Sequence, residues 1–591
     1  MENIKIKING QEISCLPDQT IMQVARENSI KIPGLCFHPD FPVKDNCRIC
    51  VVEVSGRKRL ATSCSTKVEP GMEILTDTDR VKKLRNLNIE LIFAEHIEKC
   101  PTCIWHYNCP LLNLAEKYKI GITRFRDRKD RRKVYKFANA VEIDGTQCID
   151  CRNCLDACNK QQKINYLKLK GKGIEQEIVP VGNNKKFFKK NRQPKVDCIY
   201  CGQCAVHCPV GAAQEQTHWQ LVEAALKKKN KTLVAQFAPS IRVSIGEEFG
   251  LPYGKILSGQ VTSGLRQLGF NYVFDVNFGA DITTMVEAEE LVARIKSGGT
   301  LPMFTSCCPS WIKYIEFFHP QLIPNLTTAR SPQMHSAGVI KTYWAEKMKI
   351  NPKNILVVSI MPCTAKKFEA SRAELKIKGN WPIDYVITTR EFAFLLKKNK
   401  INFLKLKPSL ADNPLGVFSG AGAIYGATGG VMESALRTAQ YLMKTAQGLV
   451  CDAKGVKIKN QNNFCQAKVE FKAVRSLEDF RQAEIIWGKK NIKVAVVNGI
   501  GQIQTVLDNL NQYHYVEVMA CPGGCIGGGG QPIPTTEEIR AKRLAALYQV
   551  DKQSKIRKAH ENKQALEALI WLRKNNKLAQ EVLYTKYRKR N

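Results

Sequence analysis

The chain has 591 residues, enough for several domains, and 44% of them are hydrophobic, so sizeable cores can be buried. No apolar run reaches the ~18 residues a membrane-spanning helix needs, and 23 cysteines behind a start with no apolar signal core read as metal ligands, not disulfides. Lysine and arginine number 90 against 54 acidic residues; the resulting +36 favours acidic partners, either nucleic acid or an acidic electron-carrier protein, beside the plainer reading of lysine-rich solvated faces.

Met1-Glu2-Asn3-Ile4-Lys5-Ile6 leads straight into a strand pattern, followed by an Asn9-Gly10 turn, a second strand and a helix opening near Asp18. Cys36, Cys47, Cys50 and Cys64 come next. Four thiols on so β-rich a unit predict a 2Fe–2S site over residues 1–78; zinc is the alternative, because the spacing is wider than the plant-type run. Over 79–140, Val81, Leu84, Leu87, Leu91 and Ile92 recur at helical spacing and predict a helix over 80–95. That helix runs into His96, Cys100, Cys103 and Cys109. Three thiolates and one imidazole suit a 4Fe–4S cluster or zinc, and an imidazole in place of a thiolate makes a cluster less negative and raises its potential.

Residues 141–216 carry Cys148, Cys151, Cys154 and Cys158, then Cys198, Cys201, Cys204 and Cys208-Pro209. This is the two-cluster run of bacterial ferredoxins, in which the fourth cysteine serves the other cluster. It groups Cys208 with Cys148, Cys151 and Cys154, and Cys158 with Cys198, Cys201 and Cys204. The basic insert 159–197 between the halves is expected to be a surface hairpin or loop, with a docking patch as the second reading.

From 217 to 534 the pattern turns α/β. Leu233–Phe237, Leu301–Phe304, Ile355–Ile360 and Val494–Val497 read as buried parallel strands. Ligands in open α/β sheets sit at the carboxyl ends of strands, which places Ala238-Pro239-Ser240, Cys307-Cys308 and Cys363 around one crevice. Gly420–Gly426 matches a dinucleotide loop only loosely, and a tight loop under the site is the expectation there. Residues 535–591 look like charged helices wrapping the core. Cys15, Cys451 and Cys465 fit no ligand set.

Cys521 and Cys525 stand four residues apart, with four consecutive glycines, Gly527–Gly530, after the second. No second close pair lies nearby, as a zinc ribbon would have. The loops of Cys307-Cys308 and of Cys363 can join them to supply four thiolates, the ligand count of a 4Fe–4S cluster, with one cysteine to spare.

Thr305-Ser306-Cys307-Cys308-Pro309-Ser310-Trp311, Met361-Pro362-Cys363-Thr364-Ala365-Lys366 and Met519-Ala520-Cys521 through Gln531-Pro532 resemble the three signatures of the FeFe-hydrogenases (iron-only hydrogenases), and the likeness extends over nearly the whole chain. The order of accessory motifs looks like that of the large clostridial-type monomer or of the catalytic subunit of a nicotinamide-linked complex. The resemblance implies a multidomain α+β and α/β fold: a β-grasp 2Fe–2S ferredoxin-like domain, a helical domain with one histidine and three cysteine ligands, a bacterial two-cluster ferredoxin-like domain, a two-lobed α/β H-cluster domain, and a small-subunit-like helical tail.

It also implies the cofactors: one 2Fe–2S cluster, three accessory 4Fe–4S clusters, and an H-cluster made of a cubane and a di-iron unit carrying CO, cyanide and an azadithiolate. Cys308, Cys363, Cys521 and Cys525 would hold the cubane, Cys525 also bridging to the di-iron unit. Lys366, Ser240 and the backbone beside Pro239 would donate to the cyanides, and Met361, Met519 and Gln333 would line the pocket. Cys307 would pass a proton outward through Glu287, Thr327, Glu290 and Arg294; helical spacing sets the last two and Glu287 on one face. The plainer reading of the two glutamates is a solvated helix face. Thr327 stands where the family commonly has serine, and Ser310 where it commonly has glycine.

The implied reaction is 2 H⁺ + 2 e⁻ ⇌ H₂, with electrons exchanged with an acidic ferredoxin or with flavin- and NAD(P)-binding partner subunits, and with dedicated maturases building the site. No nucleic acid and no membrane span enter this picture. The expected location is the cytoplasm, with a hydrogenosome or other organelle left open. Two other classes stand beside it: an electron-transfer subunit of an NADH dehydrogenase-like complex, and a non-catalytic sensor or assembly relative.

Overall fold

A computed structural model describes residues 3–181, 196–444, 474–487 and 490–590. At the N-terminus the alternation Ile4-Lys5-Ile6-Lys7-Ile8 folds as written: Ile6 and Ile8 are buried and both lysines face solvent. The strand pairs with Gln11–Cys15 across a two-residue turn in which Asn9 (φ 51°) and Gly10 (φ 83°) are both left-handed, the conformation a hairpin of this length prefers. The helix begins two residues later than Asp18 suggests. Thr20 caps Ile21–Glu27 and forms a capping box with Gln23, which outweighs Asp18 as a start signal. The sheet has five strands in the order Gln11–Cys15, Ile4–Ile8, Glu73–Leu75, Val51–Val54, Ala61–Thr62.

The next helix, Asp79–Ala94, is capped by Thr78 and buries Val81, Ile89 and Phe93. It also buries Arg85, 2% exposed, whose guanidinium donates to the carbonyls of Ile49 (3.0 Å), Val51 (2.9 Å) and Thr76 (3.2 Å). One side chain thereby ties the helix to the backbone beside Cys50. Arg85→Met would strand three buried acceptors, and we expect it to cost about 3 kcal/mol. An unchanged urea midpoint in the holoprotein would show that the clamp contributes nothing.

The segment with the two four-cysteine runs is built on the strands Val134–Phe137, Val141–Asp144 and Ala213–Glu215. The described part of the basic insert is a two-stranded hairpin, Leu167–Lys170 with Glu177–Pro180; its residues 182–195 lie outside the described residues.

The rest of the chain builds two four-stranded sheets. In the first, Tyr272–Asp275, Thr232–Phe237, Ile355–Met361 and Tyr385–Thr388 are all parallel and read as apolar runs because both faces are covered. In the second, Met303–Phe304, Tyr515–Met519 and Lys490–Asn498 are parallel, while Phe480–Trp487 joins antiparallel, so the strand expected at Val494–Val497 belongs to a mixed sheet. The strand expected over Leu301–Phe304 shrinks to two residues behind Pro302, which has no amide to give a ladder.

Gly420–Gly426 is not a loop. Gly420–Ala423 is one helical turn capped by Ser419, continued by the 3₁₀ turn Ile424–Gly426. Its glycines serve close approach: a Cβ on Gly422 would stand 2.6 Å from Asn277 O in the helix Val276–Ser297. The tail folds as the helices Glu537–Gln553, Lys563–Arg573 and Asn576–Leu583 and returns to the core, where Thr585 N donates to Thr328 O at 2.8 Å. No described helix is long and apolar enough to cross a membrane.

Candidate active site and metal centres

Two strands of each sheet end at one place. Phe237 and Met361 of the first sheet, and Phe304 and Met519 of the second, are each followed by one of the loops singled out above. These loops wall an apolar cavity of about 60 Å³, lined by Pro239, Cys307, Cys308, Gln333, Met361, Cys363, Lys366, Tyr425, Met519, Cys521 and Cys525 among others.

Close backbone packing brings the loops together. Gly530 N donates to Pro362 O at 2.8 Å, and a Cβ on Gly528 would stand 2.4 Å from that same oxygen. Gly523 (φ 80°) and Gly524 (φ 81°) turn the chain between the two cysteines in a conformation side chains rarely adopt. Cys308 caps the helix Pro309–Phe318, with Pro309 at its first position.

Five thiols around one apolar space, those of Cys307, Cys363 and Cys521 buried and those of Cys308 and Cys525 partly so, include four within electrostatic reach of one another, a donor set that fits a metal cluster: unmetallated thiolates there would repel. The donors beside them fit bound anionic ligands. The Ser240 hydroxyl is buried and meets no partner among the described residues, so it can donate to an anion, whereas Gln333 Oε1, equally unpartnered, can only accept. Lys366 Nζ donates to Cys307 O (3.0 Å) and to Glu369 Oε2 (2.8 Å), two of its three protons, while its stem lines the cavity. Glu369, which the sequence did not single out, also accepts from Gln333 Nε2 (2.7 Å) and Ser331 Oγ (2.9 Å) and so anchors two cavity residues at once.

On the helix Val276–Ser297, Glu287 is fully buried, which excludes a solvated face. Its Oε1 accepts from Tyr515 Oη at 2.8 Å, and its Oε2 meets no protein donor among the described residues. Burial pushes its carboxyl up to about 8, against the opposing pull of the Tyr515 hydrogen bond. One turn on, Glu290 accepts from Thr327 Oγ1 (2.8 Å), Thr328 Oγ1 (2.9 Å) and Arg294 Nη2 (2.5 Å). Three of the four expected relay residues are thus directly bonded; Glu287 bonds to Tyr515 and not to Thr327. Tyr515 and Thr328 were missed. The signal for Tyr515 was slight: with Glu517 it alternates along a buried strand. Glu517 is pinned by the amides of Gly429 (2.6 Å) and Met432 (2.7 Å) and reads as an anchor.

The accessory cysteines gather in sets. Cys36 and Cys47 lie within hydrogen-bonding reach of each other, as do Cys50 and Cys64, all four as free thiols, with electrostatic influence between the pairs. Cys103 feels Cys100 and Cys109. His96 Nδ1 faces Gln147 O at 2.8 Å; a carbonyl only accepts, so Nδ1 carries the proton and Nε2 keeps its lone pair, the tautomer a metal ligand needs. Cys148, Cys151 and Cys154 each feel Cys208, whereas Cys198 and Cys204 feel Cys158. The last set abuts the main cavity: Cys521 Sγ donates to Cys201 O at 3.8 Å, and Gln203 Nε2 donates to Gly527 O at 2.9 Å. Cys15 is buried within its strand; Cys451 and Cys465 lie outside the described residues.

A buried thiol cavity from which further thiol sets lead away is the layout of an iron–sulfur oxidoreductase. The family described as "Iron only hydrogenase large subunit, C-terminal domain" matches residues 231–529, and "Iron hydrogenase small subunit" matches 537–590. A "2Fe-2S iron-sulfur cluster binding domain" matches 1–79 and an "NADH-ubiquinone oxidoreductase-G iron-sulfur binding region" matches 85–124. The chain is 39% identical to Iron hydrogenase 1 of Clostridium pasteurianum over 99% of its own length and 100% of that protein. It is 36% identical to the NADP-reducing hydrogenase subunit HndD of Solidesulfovibrio fructosivorans, over 96% of this chain and 95% of that one. A solved structure of a variant of HydA1, an [FeFe]-hydrogenase from Chlamydomonas reinhardtii, superposes with a TM-score of 0.52 at 36% identity, covering 63% of this chain and 99% of that one. The chain belongs to the iron-only, or FeFe, hydrogenases: it is an oxidoreductase acting on hydrogen, with accessory iron–sulfur domains.

Proposed function

We propose that Cys308, Cys363, Cys521 and Cys525 are the thiolates that would hold an H-cluster. When bound, that group supplies the reversible joining of two protons and two electrons as H₂. The meeting of these four thiols, with the Cys307 thiol in the same cavity, is the observation that carries this reading.

The protein's share is orientation, exclusion of water and proton traffic. Lys366, held by Glu369, and Ser240 with the backbone beside Pro239 donate to the anionic ligands. Met361, Met519 and Gln333 shape the apolar wall. Cys307 carries the proton at the cavity edge; Glu287, held by Tyr515, and then Thr327, Glu290 and Arg294 carry it outward. A carboxyl poised near neutrality suits a group that must both take and release a proton. The Cys198–Cys201–Cys204–Cys158 set beside the cavity, the Cys148–Cys151–Cys154–Cys208 set, and the His96–Cys100–Cys103–Cys109 and Cys36–Cys47–Cys50–Cys64 sites would hold the accessory iron–sulfur clusters, which would supply electron transfer between the surface and the cavity, the last two offering separate entry points.

The basic surface would draw an acidic ferredoxin by long-range attraction that salt weakens. The likeness to an NADP-reducing hydrogenase subunit equally supports a flavin- or NAD(P)-binding partner chain. Protein matured and purified without oxygen is expected to show infrared bands of CO and cyanide and about 20 iron atoms per chain. Full iron content with neither band nor hydrogen evolution would leave only an electron-transfer or assembly role.

A further inference from the structure

One cluster of metal-competent side chains takes no part in the reading above. His38, Asp40 and His207 each present a ligand atom within 4.8 Å of the other two. The two imidazoles meet edge to face at 4.8 Å between ring centres, and both pack on Phe41, at 5.0 Å and 4.8 Å. Both histidines are more than nine-tenths buried, and the Nε2 of each meets no partner among the described residues. An unsatisfied ring nitrogen costs free energy in such a place, and two of them beside a carboxylate cost it twice over.

We propose that His38, Asp40 and His207 form a binding site for a divalent cation of the zinc class. His207 Nδ1 faces Gln203 O at 2.8 Å, so it carries the proton and Nε2 offers its lone pair. Asp40 uses Oδ2 to accept from Arg540 Nη2 at 3.0 Å, which orients the carboxylate and leaves Oδ1 free to bind. Among the described residues the His38 ring makes one hydrogen bond, a long one from the Asp40 amide to Nδ1 at 3.3 Å, which binding through Nε2 would give up. The nearby Lys44 does not occupy the site; its Nζ is committed to Asp156 at 2.7 Å and Asn153 at 3.0 Å.

Two imidazoles and a carboxylate make a mixed nitrogen–oxygen set that zinc takes with one further position open. Its three ligands come from two parts of the chain, and the arginine that orients Asp40 comes from a third. His38 and Asp40 belong to the loop between Cys36 and Cys47, His207 lies between Cys204 and Cys208, and Arg540 is on the C-terminal helix Glu537–Gln553. A bound cation would therefore pin the N-terminal unit to the segment with the two four-cysteine runs.

The holoenzyme, kept anaerobic, is equilibrated with zinc chloride and desalted, and zinc and iron are counted separately. X-ray absorption at the zinc edge then reads the ligands apart from iron. The expected result is one zinc per chain with nitrogen and oxygen neighbours at about 2.0 Å, bound at least tenfold more weakly in both His38→Gln and Asp40→Asn at unchanged iron content. Less than a tenth of a zinc per chain would overturn the site. So would sulfur neighbours at about 2.3 Å, which mark zinc in a cysteine set, or equal binding in the two variants.

Discussion

Cys307→Ala is expected to keep its full complement of iron and its infrared bands while losing about 10²–10⁴-fold in turnover, the range a single positioned proton carrier supplies. The side chain is small and buried at the cavity wall, so truncation removes a thiol without opening a path for bulk water. The contact that ties Lys366 to this loop runs to the Cys307 carbonyl, not to its sulfur, and survives the change. A loss of four irons per chain instead would mean that Cys307 and Cys308 have exchanged roles, with the capping cysteine the spare one.

The second large effect is expected one residue further out. Glu287→Gln keeps the shape and the Tyr515 contact but cannot carry a proton, so turnover should fall by a similar factor of about 10²–10³. Tyr515→Phe separates transport from position. It removes the hydrogen bond that, among the described residues, stabilises the Glu287 anion, so the carboxyl should rise further above about 8. The limb of the pH–rate profile that reports Glu287 then moves toward higher pH, by up to about one unit for a single buried hydrogen bond. A purely structural role for Tyr515 would lower the rate at every pH and leave that limb where it was. Hydrogen–deuterium exchange catalysed across about pH 5–10 distinguishes the two outcomes. A flat profile in both proteins would remove Glu287 from the path.

The plainer reading of Glu287 and Glu290, a solvated helix face beside the expected relay, rested on sound grounds: charged residues at helical spacing usually face water. It failed for Glu287 because the strand Tyr515–Met519 lies over that face and supplies a hydroxyl for the acid to bond. Gly420–Gly426 misled differently. Clustered glycines suggest a turn, but here they let a helical turn pack backbone to backbone, and the Ser419 cap supplies the start signal.

The local units of this protein are written in the order of its residues. Ligand sets such as Cys148–Cys151–Cys154 or Cys100–Cys103 are legible because one short loop must present them together, so spacing and geometry are the same information. The Asn9-Gly10 hairpin, the Thr78-capped helix and the apolar strands are legible because each is set by neighbours a few residues away. Other features emerge only once the chain has packed: two sheets aim their carboxyl ends at one cavity, Tyr515 holds Glu287 across 228 residues of chain, Glu369 stands behind both Lys366 and Gln333, and His38 meets His207. Those pairings are made by packing and by the need of buried polar groups for partners, and neither leaves a periodic mark along the chain.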